Sequence, residues 1–352
     1  MKVAYLIDCK SVGGGCEYIS QLRHVVPKNE TKTFFAVEKQ CRASVVNAWR
    51  PDIIHVNHLK ALLQLLANPF CRPSAPVVFT VHGIHLRKFD FLPQTVVNRL
   101  KRFLRLRLER WLYARCRSLI ALTPTDAKYL KDVYRVRGLI HVIGNGVAAM
   151  PVEESIPLRN REDEFMFISI ARFNFPKGQD VLLRAIAHRQ DALRALGRKT
   201  LFIGEGDTLE DMRRFSDEQG IGDLVEFAGE IPNASRYLDC GKVLVAPSRW
   251  EGLPLLILEA AARRKLVIAS DCPGNRDVIR DRETGYLFPV EDFRRLSELM
   301  VAEYDESESK ACRDRLFQDV ESDFSISKMI CLTTGVYKAL CCEQKENGNE
   351  KP

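Results

Sequence analysis

Short apolar runs recur along the whole chain at 2–7, 34–37, 53–56, 77–81, 118–122 and 139–143, and again at 165–171, 200–203, 225–228, 243–246, 266–269 and 285–289. They are rich in Val, Ile and Leu, and most are continuously apolar rather than alternating. That is the pattern of parallel strands buried on both faces. Helical spacing of apolar positions follows several of them, at 16–22, across 96–112, from about 181, from about 254 and over 326–340. Strand and helix in turn predict an α/β protein built on parallel sheets. A polar, acidic stretch at 151–164 carries no periodicity and is the expected linker. The expected domains are therefore 1–150 and 151–324. A terminal helix at 325–342 is expected to pack back toward the first domain, ahead of a polar, disordered tail at 343–352.

Composition adds limits. At 352 residues and 46% hydrophobic content, the chain can bury two cores. No apolar run approaches the ~18 residues that span a bilayer, and the start MKVAYLIDCK leads directly into a strand-like run. Neither a signal peptide nor a transmembrane helix is expected. The 11 cysteines form no C-x-x-C pair, so reduced thiols and a cytoplasmic setting are expected, without a structural zinc. The net charge of +7 conceals an asymmetry. Residues 1–150 carry 24 Lys and Arg against 9 Asp and Glu, while the remainder carries 29 against 37. The first half is thus suited to a polyanion or an anionic membrane surface. Its basic block lies at 87–117, where Val96, Leu100, Phe103, Leu104, Leu108, Trp111 and Leu112 keep a helical stripe and Arg99, Lys101, Arg102, Arg105 and Arg110 occupy other faces. Such a helix suits peripheral docking on the inner face of a membrane, or a core-packed helix with a solvated face. No nucleic-acid module accompanies the charge.

Candidate chemistry sits where strands give way to turns. Gly13-Gly14-Gly15 lies between the first strand and a helix, where backbone can approach a phosphate or make a plain tight turn. His82-Gly83 closes the run at 77–81, which places an imidazole at the carboxyl end of a strand, where open α/β sheets bind ligands. His55, His58 and His85 admit the same reading. Arg172 and Lys177 bracket a strand-to-helix turn, as ligand-binding cations or as exposed surface charges. Glu251 precedes Gly252-Leu253-Pro254-Leu255 at an expected helix start, with Pro254 at its first position, and Glu259 follows about one and a half turns on. Two carboxylates then flank a helix start whose free N–H groups attract anions, unless both are simply solvated.

GGG near the start, TVHG, NGV, ARFNFPKG and PSRWEGLPLLILEA followed by VIASDCPGNRDVI occur in one order that resembles the family-4 retaining glycosyltransferases. The resemblance spans nearly the whole chain and implies the GT-B fold, two facing Rossmann-like domains with a cleft between them. It also implies a metal-independent transferase that needs no cofactor and uses a nucleotide diphosphate sugar as donor and a glycan or glycolipid as acceptor. Residue by residue, it puts Arg172 and Lys177 on the diphosphate and Glu259 on the ribose. Glu251 and the backbone from Gly252 through Leu253 and Pro254 to Leu255 fall on the sugar and distal phosphate, and Gly14 and Gly15 on the diphosphate from the first domain. His82 falls beside the reacting centre and Ile231, in the segment 229–232, near the base. Cys16 stands where the family often has Ala, and Gly144 replaces a common Pro. The short first domain leaves the acceptor pocket undefined.

Overall fold

The structure is a computed structural model, and it describes residues 1–7, 32–147 and 165–349. The glycine turn at 13–15, the expected helix at 16–22 and the whole expected linker at 151–164 lie outside those residues. The chain divides into two compact units, Met1–Gly146 with Ser325–Pro352, and Val147–Phe324.

The first unit holds a six-stranded sheet of β1 (Lys2–Ile7), β2 (Lys32–Val37), β3 (Ile53–Val56), β4 (Val77–Val81), β5 (Ser118–Ala121) and β6 (Leu139–Val142). The strands run parallel in the order β2-β1-β3-β4-β5-β6. Helices α1 (Ala43–Ala48), α2 (Leu59–Leu66), α3 (Val96–Tyr113) and α4 (Pro124–Asp132) supply crossovers. Threonine caps open two of them: Thr95 Oγ1 accepts from the Asn98 amide at 3.2 Å, and Thr123 Oγ1 from the Asp126 amide at 3.1 Å, with Pro124 in the first turn. β3 and β4 are buried at every position, which explains why their sequences read as unbroken apolar runs.

The second unit holds β7 (Phe165–Ile170), β8 (Thr200–Ile203), β9 (Val225–Phe227), β10 (Gly241–Ala246), β11 (Leu266–Ser270) and β12 (Tyr286–Phe288), also parallel, in the order β12-β11-β10-β7-β8-β9. Its helices are α5 (Gln179–His188), α6 (Gln190–Ala195), α7 (Leu209–Glu218), α8 (Leu255–Ala262), α9 (Phe293–Val301) and α10 (Glu306–Asp323). The chain lays down β7, β8 and β9 outward, then crosses back to set β10 against β7. A crevice opens at such a reversal, beyond the carboxyl ends of the two strands.

The last helix, α11 (Ile326–Asn349), packs on the first sheet, where Met329, Ile330, Val336, Tyr337 and Leu340 join Val3, Tyr5, Ile53, Val78 and Ile120 in one core. Its end differs from expectation: the helix continues to Asn349, through a segment expected to be disordered from 343. Glu, Gln and Lys are good helix formers, and extending a docked helix avoids the cost of nucleating one. The basic block is a short 3-10 turn, His85–Asp90, followed by α3, and of the two expected arrangements the core-packed one does not hold, because the stripe from Val96 to Trp111 faces outward. Not all of its cations face solvent. Arg87 is buried against Asp126 at 2.9 Å, and Arg105 pairs with the fully buried Glu109, which also accepts from the Tyr134 hydroxyl.

Candidate donor site on the second unit

The strand reversal brings two loops together. One leaves β7 and carries Arg172 and Lys177; the other leaves β10 and carries Ser248, Arg249 and Glu251. Their approach depends on Gly178, at φ +68°, where a Cβ would stand 2.1 Å from the Pro247 carbonyl oxygen. Lys177 reaches across, its Nζ 2.6 Å from Glu251 Oε1, and Ser248 Oγ donates to the same oxygen at 2.7 Å. The lysine is one-third exposed and the glutamate more covered, so the pair keeps access to solvent. Arg172 is exposed, and among the described residues its guanidinium makes no recorded ion pair. Its carbonyl is held by Gln179 Nε2 at 2.9 Å, which fixes the loop without occupying the cation.

The buried cation of this site is Arg249, which the sequence reading did not single out. Its side chain is 4% exposed and its fork grips both oxygens of Asp180, at 2.9 and 2.7 Å. Nε donates to Glu291 at 2.8 Å, Nη1 donates to the Phe175 carbonyl at 2.6 Å, and the guanidinium lies 4.0 Å from the Phe175 ring centroid. The Arg249 amide adds a bond to the Pro176 carbonyl at 2.8 Å. Burial opposes its charge, but the bonds to Asp180 and Glu291 outweigh that and raise its pKa further. One residue therefore pins the Arg172–Lys177 loop to the Glu251 loop from beneath. The only sequence signal was an arginine beside a tryptophan just ahead of Glu251.

A third loop, after β11, supports the second. Gly274, at φ +93°, lies so close that a Cβ would be 2.1 Å from the Gly252 carbonyl oxygen. The buried Asn275 donates to the Ser270 carbonyl at 3.0 Å, and Ser270 Oγ donates to the Ser248 carbonyl. Glu251 thus stands on a backbone fixed on two sides. Beyond it, α8 begins at Leu255, with Pro254 as its cap rather than its first residue. No side chain caps this helix, and among the described residues no acceptor is recorded for the Leu255 and Leu256 amides. Gly252 and Leu255 are partly exposed, while Leu253 and Pro254 are buried. Glu259, partly exposed, lies in the second turn. Ile231 follows β9 on the same edge of the sheet, where the Gly204 amide donates to the Gly229 carbonyl at 2.8 Å. An exposed arginine, a lysine paired with a carboxylate, and helix-start amides share one strand edge, an arrangement able to hold a dianionic phosphate group and a hydroxylated ring.

The first unit has its own carboxyl edge. His82 follows β4 and donates from Nε2 to Asn57 Oδ1 at 3.2 Å, and its ring is 6.3 Å from that of His58. Burial, and then the neighbouring His58, push the His82 imidazolium down to about 3, so the ring is neutral at ordinary pH. His55 has a different place from its expected one: it lies inside β3, fully buried, between Thr80 Oγ1 at 2.7 Å and the Tyr337 hydroxyl of α11. Strand register, not ligand chemistry, holds it there. Gly14 and Gly15 lie outside the described residues. Among the described residues, no group of three or more His, Cys, Asp or Glu is placed to hold a metal ion, and no helix is long and apolar enough to cross a membrane.

Comparison with known proteins agrees with this architecture. Residues 153–312 match the family profile described as glycosyl transferases group 1, and residues 19–149 match that of glycosyltransferase family 4. EpsD of Bacillus subtilis (strain 168) is 30% identical over 269 residues, covering 73% of this chain and 68% of its own. The Escherichia coli UDP-Gal:alpha-D-GlcNAc-diphosphoundecaprenol alpha-1,3-galactosyltransferase is 25% identical over 286 residues, covering 75% and 70%. Among solved structures, Anabaena HepE in complex with UDP and glucose superposes with a TM-score of 0.76 at 16% identity, over 96% of this chain and 100% of that one. The chain belongs to glycosyltransferase family 4 and has the GT-B α/β fold.

Proposed function

We propose that this glycosyltransferase moves a hexose-type sugar from a nucleotide diphosphate sugar to a lipid-linked or surface-polysaccharide acceptor, with retention of anomeric configuration. The observation that carries the donor reading is the convergence of Arg172, Lys177, Glu251 and the start of α8 at the reversal between β7 and β10. The relative named for a UDP-galactose donor and a diphosphoundecaprenol acceptor, and the neighbour bound to UDP and glucose, support the substrate classes.

In this reading Arg172 and Lys177 hold the diphosphate, and the Leu255 and Leu256 amides add N–H groups to it. Glu259 takes the ribose hydroxyls, Glu251 and the Gly252–Leu255 backbone take the sugar, and Ile231 lies against the base. The bond between the anomeric carbon and the phosphate oxygen breaks, its electron pair leaving on the phosphate. The acceptor hydroxyl oxygen bonds to that carbon from the same face and gives up its proton to the departing phosphate. Negative charge grows on the leaving group, and fixed cations and helix N–H groups oppose it; removing one such donor costs about 3–4 kcal/mol of barrier. Arginine and lysine then supply the charge that a metal supplies elsewhere. Glu251 faces the positive charge that develops on the sugar, as carboxylates do in glycosidases. The neutral His82 is proposed as a hydrogen-bonding group at the reacting centre rather than a cation.

Arg172→Ala and Glu259→Ala test the site. Each is expected to lower the transfer rate by about a hundredfold or more while leaving the melting temperature nearly unchanged. Transfer at the wild-type rate in both would remove these residues from the reaction. Conversion of the donor sugar to an epimer without any acceptor would replace transfer by epimerisation.

A further inference from the structure

The two cations proposed for the diphosphate differ in what already engages them. Arg172 is exposed, and among the described residues it makes no recorded ion pair. Lys177 has a partner: its Nζ lies 2.6 Å from Glu251 Oε1, across a separation of 74 residues. The two side chains are 33% and 15% exposed, so the pair is open enough to part and covered enough to matter when formed.

The other donor on Oε1 is fixed. Ser248 is buried and donates from Oγ at 2.7 Å. Its carbonyl accepts from Ser270 Oγ, and the carbonyl and Oγ of Ser270 accept in turn from Asn275 Nδ2 at 3.0 and 3.2 Å. On another side, a Cβ at Gly274 would stand 2.9 Å from the Glu251 Cβ, so the third loop leaves the glutamate no room to retreat. Lys177 is the mobile member. It ends the short 3-10 turn Phe175–Lys177, and its ammonium rides on a flexible four-carbon stem. A lysine facing a carboxylate presents little net charge to a third group. It gives a diphosphate its full attraction only when the carboxylate has another hydrogen-bond donor, and a sugar hydroxyl is one.

We propose that Glu251 alternates between Lys177 and the donor sugar, and that the Lys177–Glu251 pair loosens the nucleoside diphosphate once the sugar has been transferred. The inference rests on the donor reading given above. With donor bound, a sugar hydroxyl donates to Glu251 and the lysine turns toward the phosphates. After transfer the carboxylate has lost that hydroxyl and competes for the lysine again. The product is then held by Arg172 and the helix-start amides alone. Ser248 keeps Glu251 in place in both arrangements. An ion pair at this exposure shifts an equilibrium by about fivefold, enough to speed release without preventing binding.

The test is calorimetric titration of the full chain with UDP, GDP and ADP. Glu251→Gln keeps the side-chain shape and an oxygen for Ser248, so the melting temperature should stay in place. This variant is expected to bind the preferred nucleotide about fivefold more tightly than wild type, although it transfers sugar more slowly. In a Lys177→Gln background the same change should gain much less, because only screened repulsion by Glu251 remains. An equal gain in that background would assign the effect to repulsion and overturn the proposal. So would an affinity that Glu251→Gln leaves unchanged. Arg172→Ala separates this inference from the donor reading, since it should weaken nucleotide binding whatever happens at Glu251. Binding that needs Arg172 but ignores Glu251→Gln would sink the inference alone. Binding of none of the three nucleotides, or binding indifferent to Arg172, would sink the donor reading and the inference with it.

Discussion

Arg249 shows how one side chain sets the geometry of others. Its partners lie far away along the chain, Asp180 at a separation of 69 residues and Glu291 at 42, so no local pattern announces its role. Lys177 and Glu251 were legible because Pro176, Gly178 and Gly252 beside them mark turns at strand ends, Arg172 because it closes a strand-like run, and Glu259 from its spacing of eight residues after Glu251. Arg249 has no such neighbour of its own. Arg249→Lys keeps the charge but loses the fork on Asp180. It is expected to cost about 1–3 kcal/mol of stability, as hydrogen bonds to charged groups do, and to raise the donor KM about tenfold with little change in kcat. A KM equal to wild type would leave Arg249 a purely structural residue. Gly178 and Gly274 were visible as glycines, but the carbonyls that forbid a side chain at each belong to neighbouring loops.

At the scale of elements, the strands were read most accurately. The runs at 2–7, 53–56, 77–81 and 200–203 coincide with β1, β3, β4 and β8, because a strand buried on both faces needs apolar residues throughout. The face of α3 was not readable, since periodicity locates a stripe without saying what covers it. The return of α11 to the first unit was expected, but its particular contacts were not readable: His55 and Tyr337 are 282 residues apart. Burial, and then His82, lower the His55 pKa to about 3, against about 6.5 when unfolded. The folded state therefore favours neutral imidazole. Its stabilising contribution is complete above about pH 6.5 and is lost as pH falls toward 3. Denaturant unfolding between pH 6 and 4 should show stability falling by up to about 1.4 kcal/mol per pH unit from this group. His82 adds a slope of the same sign. His55→Gln should remove the His55 share, and an undiminished slope would place the dependence elsewhere.

For the whole molecule, the last stretch of chain completes the first unit. Met329, Ile330, Val336, Tyr337 and Leu340 are all at most 8% exposed, and each such apolar side chain is worth about 1.5–3 kcal/mol. Together they rival the roughly 5–15 kcal/mol by which a domain is stable. Truncation after Phe324 is expected to abolish the unfolding transition of the first unit and keep that of the second, as read by calorimetry and limited proteolysis. A truncated chain with both transitions would show that the sheet is stable without α11. The sequence by itself determined the α/β class, most strands, the family resemblance and the motif residues proposed for the donor site, because burial patterns and turn chemistry are local. Only the tertiary structure decided that Lys177 pairs with Glu251, that Arg249 ties the two loops beneath them, that His55 belongs to the core, and that the apolar strip of α3 faces outward. Each of those facts is a contact, or a missing contact, between segments far apart in the chain.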